Sequence, residues 1–411
     1  MNRWIRLVGA VVAMMMIANL QYAWTLFVKP IVGANHWKLS DVQWGFSIFV
    51  ALETWMMPFS GWLIEWLGPR TFMTIAGFMC GIGWAGMGQA KSLPELYALY
   101  ALAGFGAALV YCGSLGTVKW FPDKRGLAAG LISAGFGSGS ALFVPIVAYL
   151  LRAHDYHTAF LYTGIAQGLV IILAAQILKN PPRTASLSTP ARVQVRSHGE
   201  EFNSFEMLRT PQFYVLFVMA LMMGIGGLMA TAQVAPIANT LKIGTAALTL
   251  SLTLNPLANG AARISWGWVS DYLGRERTMF IAFLLQAVVL IGVVTLGHLS
   301  TFWFILTMAL VFFTWGEVYS LFPSICADWF GAKNVSSNYG FIYAAKGVAS
   351  IVGGGLAAAL YEKTGSWNYG FYACSALALI TAIMALGLRK MPLPHKKPAK
   401  TQVAAVGDYA R

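Results

Sequence analysis

Gly61-Trp62-Leu63-Ile64-Glu65-Trp66-Leu67-Gly68-Pro69-Arg70 and Gly267-Trp268-Val269-Ser270-Asp271-Tyr272-Leu273-Gly274-Arg275-Glu276-Arg277 are two copies of one signal. Glycine, acid and glycine keep the same spacing in both, basic residues follow at once, and the copies begin 206 residues apart, at 61 and 267. Each copy closes an apolar run, so each marks a tight connection between two helices. A second echo sets Lys119-Trp120-Phe121 against Asp328-Trp329-Phe330, 209 residues on. Two echoes at nearly one offset indicate parallel repeats about an axis along a membrane normal.

The runs around these loops give the repeat its size. Of 411 residues, 58% are hydrophobic and 10% charged. A soluble domain carries about 25% charged residues, and a lipid-facing surface removes that need. A helix crosses the hydrocarbon core in about 20 apolar residues. Twelve stretches meet that length: 6–28, 44–66, 71–90, 95–117, 126–150, 158–178, 213–235, 246–269, 278–297, 302–323, 339–361 and 368–388. The expected fold is all-α and polytopic, with twelve transmembrane helices in two pseudo-symmetric six-helix bundles.

The polar stretch from Lys179 to Arg209 holds Pro181, Pro182, Arg183, Pro190, Arg192 and Arg196, and separates the two sets of six. The expected organisation is a bundle over 1–178, a cytoplasmic linker over 179–212, a bundle over 213–390 and a basic cytoplasmic tail over 391–411. Residues 202–208 are amphipathic enough to lie on the membrane surface. The first apolar run outlasts a signal peptide and shows no clear cleavage site, so it reads as a retained helix.

The formal charge of +13 follows topology rather than nucleic acid. With the N-terminus in the cytoplasm, cytoplasmic segments hold 20 of the 28 Lys and Arg residues. Lys29, Lys38, Lys91, Arg152, Lys242 and Lys363 lie outside, and Arg263 and Lys346 fall within helices. The bias places both termini in the cytoplasm of a bacterial inner membrane. Cys80, Cys112, Cys326 and Cys374 lie in apolar stretches and read as small buried hydrophobes.

The paired loops resemble the signature loop of the major facilitator superfamily. Glu65, Arg70, Asp271 and Arg275 are then gating residues, an acid at a helix end and a base in the loop that latch one conformation and release in the other. A narrower resemblance covers nearly the whole chain. Gln21-Tyr22-Ala23-Trp24-Thr25-Leu26, Trp120-Phe121-Pro122-Asp123-Lys124-Arg125-Gly126 and Glu206-Met207-Leu208-Arg209-Thr210-Pro211-Gln212-Phe213 look like the bacterial oxalate:formate antiporter group, within the monocarboxylate transporter family. So do Phe313-Thr314-Trp315-Gly316, Tyr319 to Ser324, and Asn338-Tyr339-Gly340 with Ala344-Ala345-Lys346. The resemblance implies that Arg263 and Lys346 bind substrate carboxylates and that Gln21, Tyr22, Tyr111, Trp315 and Tyr319 line the site. Phe136 stands where that group has a Tyr. Glu53 and Glu317 stand where it has neutral residues.

The residues themselves lead to a similar place. A cation at membrane depth costs about 2.5–3.5 kcal/mol. Arg263 and Lys346 are each more than a turn from a helix end, so snorkelling is an incomplete account. Arg offers a fork for a carboxylate and Lys a point charge, so together they suit the two ends of a small dianion. The plain alternative pairs both with Glu53 and Glu317. Asn255, Asn259 and Arg263 share one stripe, where amides either orient the guanidinium or bond between helices. Trp315 and Tyr319 also share a face, as pocket lining or as core. Glu53 and Glu317 are either proton-coupling groups or structural partners.

The six histidines lie in loops or at helix ends, and the Gly-rich stretches lack a Walker lysine. No nucleophile elbow or zinc motif is present, so an enzyme is not expected. The expectation is a carrier without cofactor or metal, working by alternating access as a monomer among lipids, on a small organic anion. Oxalate:formate exchange leads, proton-coupled symport of lactate or pyruvate is the alternative, and a non-transporting membrane receptor is a third class.

Overall fold

The computed structural model describes residues 2–121, 125–179, 200–331 and 334–395. Twelve long helical stretches account for nearly all of this. In the first half they are α1 (Arg3–Asn35), α2 (39–67), α3 (Pro69–Met87), α4 (Leu93–Trp120), α5 (Ala128–Ala153) and α6 (Tyr156–Ile177). In the second they are α7 (Pro211–Thr240), α8 (Thr245–Leu273), α9 (Arg275–Leu296), α10 (Thr301–Phe330), α11 (Ser337–Thr364) and α12 (Asn368–Leu388). Among the described residues nine are long and apolar enough to span a membrane. The other three are α2, α3 and α8. Interior polar side chains dilute two of them, Glu53 in α2 and Asn255, Asn259 and Arg263 in α8, while α3 is short and rich in glycine.

The outer surface is apolar, with Leu173 (68% exposed), Val288 (59%) and Ile383 (61%) turned outward. Such side chains are stable there only against lipid. The chain is a multi-pass membrane protein of two six-helix bundles. The sequence repeat returns in the packing: α3 lies against α4 and α6, as α9 lies against α10 and α12. Between bundles, α2 packs on α11 and α5 on α8, again as symmetric counterparts. The cysteines are unbridged, three of them buried.

Two glycines of the signature loops have a backbone reason. Gly68 (φ 73°, ψ 154°) ends α2 and Gly274 (φ 85°, ψ 157°) ends α8. That region is essentially reserved for glycine, and it turns the chain straight into α3 and α9. Elsewhere glycine permits close approach. A Cβ on Gly168 of α6 would lie 2.9 Å from the Gly81 Cα of α3, nearer than two packed residues tolerate.

The straight spans of the sequence reading are broken where it matters. Helix α1 breaks at Ala23, α2 at Met56, α5 at Gly139, α10 at Gly316–Glu317 and α11 at Ala344. A π-turn over Val352–Leu356 follows in α11. Breaks free backbone groups and bend a helix, and within a membrane they persist where protein or a polar cavity surrounds them.

Residues 202–208 do not simply rest on the membrane. Only Ser204–Leu208 is helical, closed by a capping box between Asn203 and Glu206. Phe202 and Met207 are buried in protein. The Phe202 amide donates to the Phe330 carbonyl at 2.9 Å, and its carbonyl accepts from Asn334 and Asn338. The apolar side of this segment is therefore used to dock on the ends of α10 and α11. The proposed linker core and basic tail, 180–199 and 396–411, lie outside the described residues.

Candidate functional site

The broken helices bring their polar residues to one place. Gln21 and Tyr22 adjoin the break in α1, Glu53 precedes that in α2, and Phe136 that in α5. Trp315, Glu317 and Tyr319 surround the break in α10, and Tyr343 and Lys346 flank that in α11. Arg263 and Asn259 enter from α8 and Tyr111 from α4, both unbroken there.

Arg263 is buried (5% exposed). Its Nε and Nη2 donate to Asn259 Oδ1 at 3.2 and 3.1 Å. Its Nη1 donates to the Ser133 carbonyl at 2.9 Å and the Ser133 hydroxyl at 2.7 Å. The guanidinium carbon lies 4.3 Å from the Tyr319 ring centroid and 5.7 Å from that of Phe136. Every one of these acceptors is neutral, and no carboxylate among the described residues is within ion-pair distance. Asn259 thus holds the guanidinium through Oδ1 and also bonds between helices, its Nδ2 donating to the Phe312 carbonyl.

Lys346 is equally buried and is held differently. Its Nζ donates to Glu53 Oε2 at 2.9 Å, Gln21 Oε1 at 2.8 Å and the Tyr343 hydroxyl at 3.2 Å. The ion pair crosses from the second bundle to the first. Of the two acid partners considered from sequence, Glu53 takes Lys346, while Glu317 pairs with neither cation. Glu317 is fully buried at the break in α10, and neither carboxyl oxygen has a hydrogen-bond partner among the described residues.

Aromatic rings join the two cations. The Phe136 centroid lies 5.3 Å from Lys346 Nζ, on the same ring that Arg263 approaches. Tyr22 and Tyr111 pack on Phe136 at 5.9 and 5.6 Å between centroids. Tyr111 stacks on Tyr343, and Trp315 meets Tyr319 edge-on at 5.4 Å. Face contacts of this kind stabilise each cation by about 0.5–2 kcal/mol. The Tyr22 hydroxyl, the Trp315 indole N–H and the Gln21 Nε2 are buried donors without partners. Orphaned donors are rare in native interiors and mark places where polar groups meet a ligand or solvent. Together with the guanidinium they can engage a small carboxylate.

Tyr343 and Ser133 were not singled out from the sequence. Tyr343 precedes Lys346 by three residues, hence shares its helix face, a signal that was present. Ser133 had none, because its carbonyl is reached only across the bundle interface.

The charged residues of the signature loops stand apart from this cluster. Arg275 donates to Asp271 Oδ1 at 2.8 Å, to Asp328 Oδ2 at 3.2 Å and to the Ser270 hydroxyl. These contacts tie α8, α9 and α10 within one bundle. Arg70 is exposed, and the Glu65 side chain lies outside the described part of the structure.

Two parallel six-helix repeats, with two buried cations among the broken helices between them, have the architecture of a secondary transporter. Comparison with known proteins narrows the class. The family profile of the Major Facilitator Superfamily matches residues 7–327 and, in a second match, 216–408. The chain is 40% identical over 404 residues to an oxalate:formate antiporter of Oxalobacter formigenes, covering 98% of this chain and 94% of that one. It is 24% identical to apicoplast pyruvate carrier 1 of Toxoplasma gondii, covering 88% and 77%, and to monocarboxylate transporter 11 of Mus musculus, covering 87% and 82%. The chain belongs to the Major Facilitator Superfamily.

Proposed function

We propose that this protein exchanges small carboxylates across the membrane, oxalate for formate, by alternating access. The observation that carries the reading is Arg263: a buried guanidinium with only neutral acceptors, among unpartnered donors, at the interface of two bundles. A central cation of that kind needs an anion. The near full-length likeness to an oxalate:formate antiporter supports the choice of substrate.

In this reading a carboxylate binds the Arg263 guanidinium by taking over part of the bonding that Asn259 and Ser133 now satisfy, and Lys346 receives a second one. Asn259 and Ser133 aim the guanidinium, while Gln21, Tyr22, Tyr111, Phe136, Trp315 and Tyr319 shape the site. The bundles 1–178 and 213–390 rock about it, joined by the linker 179–212. The excess of Lys and Arg on the loops of one face supports both termini, and the tail 391–411, lying in the cytoplasm of a bacterial inner membrane. One chain holds both bundles and the whole site, which supports a working monomer. Asp271, Arg275 and Asp328 brace loops that move during gating, and Glu65 and Arg70 are gating residues at the matching loop of the other repeat.

Proteoliposomes test this. Labelled oxalate uptake that requires internal oxalate or formate, and ignores an imposed proton gradient, is the expected result. Uptake into empty vesicles driven by external acid overturns it. That outcome belongs to a second reading, proton-coupled monocarboxylate symport, which Glu317 favours as a buried carboxyl with no partner.

A further inference from the structure

A carrier that exchanges a dianion for a monoanion must present one site to two different charges. Arg263 and Lys346 are the two cations of the site. Arg263 has neutral acceptors only, whereas Lys346 already holds a carboxylate, Glu53, at 2.9 Å. The fixed charge of Arg263, Lys346 and Glu53 together is then that of one cation, not two. Glu53 Oε2 is the anionic acceptor on Lys346 Nζ, with Gln21 and Tyr343 as its neutral acceptors, so all three N–H donors are taken. The other Glu53 oxygen has no partner, so Lys346 is the group that holds this carboxylate in place.

We propose that Glu53 is an internal stand-in for the second carboxylate of a dianion: it occupies Lys346 when the cargo is a monoanion and must leave Lys346 when the cargo is a dianion. This rests on the reading of the site as a carboxylate carrier. With a monoanion on Arg263 and Glu53 on Lys346, the site is neutral. With a dianion bridging Arg263 and Lys346, the cargo alone neutralises both cations, and Glu53 loses the one hydrogen-bonded partner it has among the described residues. A buried carboxylate stripped of its partner is strongly disfavoured. Glu53 therefore biases the site toward monoanions, and its charge sets selectivity without its touching the cargo. The same ion pair lets the empty site reach near-balance of charge, one cation in excess rather than two.

The test is the Glu53→Gln variant in proteoliposomes, compared with the wild-type chain for oxalate and formate uptake at fixed internal anion. Removing the stand-in frees Lys346 for a dianion and leaves an unmatched cation beside a monoanion. Both effects act in one direction. The oxalate-to-formate ratio of uptake efficiencies should rise by about tenfold or more. A ratio that stays constant, or moves toward formate, overturns the proposal. If the single variant does not fold, Glu53→Gln with Lys346→Gln removes both ends of the pair. In that carrier the oxalate-to-formate ratio should fall below that of the wild-type chain, because Lys346 no longer receives the dianion, and a ratio at or above the wild-type value overturns the proposal. If the wild-type chain carries neither oxalate nor formate, the substrate assignment fails on its own. The charge proposal is then read in the same way on lactate against malonate.

Discussion

The two cations of the site differ in kind, and so do the expected consequences of changing them. Arg263 spends four hydrogen bonds on Asn259 and Ser133, which fix the plane of its fork. Lysine offers three donors on a point charge and cannot reproduce this planar set of bonds while also meeting a carboxylate. Arg263→Lys should lower uptake efficiency by about tenfold to hundredfold, the worth of one or two charge-assisted bonds, and a near-normal rate would remove Arg263 from the site. Lys346 and Glu53 depend on each other. Lys346→Gln leaves a buried carboxylate alone and should destabilise the protein by about 3–5 kcal/mol. Adding Glu53→Gln should return much of that stability, seen as a partly recovered thermal midpoint in detergent. Additive losses would show that the ion pair contributes nothing. Glu53 also has a counterpart in the repeat: the 206-residue offset that relates the signature loops sets it against Asn259. In each bundle the second helix supplies the acceptor for an interior cation, amide in one and acid in the other.

Among the elements, the breaks are what turn apolar spans into a site. Trp315 ends the first segment of α10, and its ring is held against α7 at Gly227, where a Cβ would overlap the indole. That overlap involves a fully buried ring. Gly227→Ala should therefore displace Trp315 and cost about 1–3 kcal/mol, as overpacking does, with a lowered thermal midpoint and weakened substrate binding. Unaltered binding would separate Trp315 from the site. The short helix Ser204–Leu208 carries a similar lesson. Its amphipathic pattern is readable in the sequence, but whether the apolar side meets lipid or protein depends on the ends of α10 and α11, which lie more than a hundred residues further along the chain.

Across the whole molecule the two bundles are not bonded evenly. Among the described residues, hydrogen bonds between them run from the midplane to the face opposite the termini. Ser40 donates its amide and hydroxyl to Glu362 at 2.8 and 2.7 Å. Gln43 donates to the Ala232 carbonyl at 2.8 Å, and Ser47 and Ser350 each donate to the other's carbonyl. These contacts close that face. Glu362→Gln should weaken the closure by about 1 kcal/mol, roughly a fivefold shift in population, read as a longer distance between spin labels at Lys91 and His298. An unchanged distance distribution would place the closure elsewhere. The sequence by itself determined the twelve spans, the two repeats and the identity of the interior charges, because hydropathy, spacing and the cost of burying charge are local or periodic quantities. Even the turn glycines Gly68 and Gly274 were legible, since their spacing marks the loops that need them. Only the tertiary structure decided which acid meets which cation. Glu53 and Lys346 are 293 residues apart, Glu317 remains unpaired, and Ser133 reaches Arg263 only where two bundles touch. Pairing of that kind depends on where helices break and bend, and no periodicity in the chain encodes it.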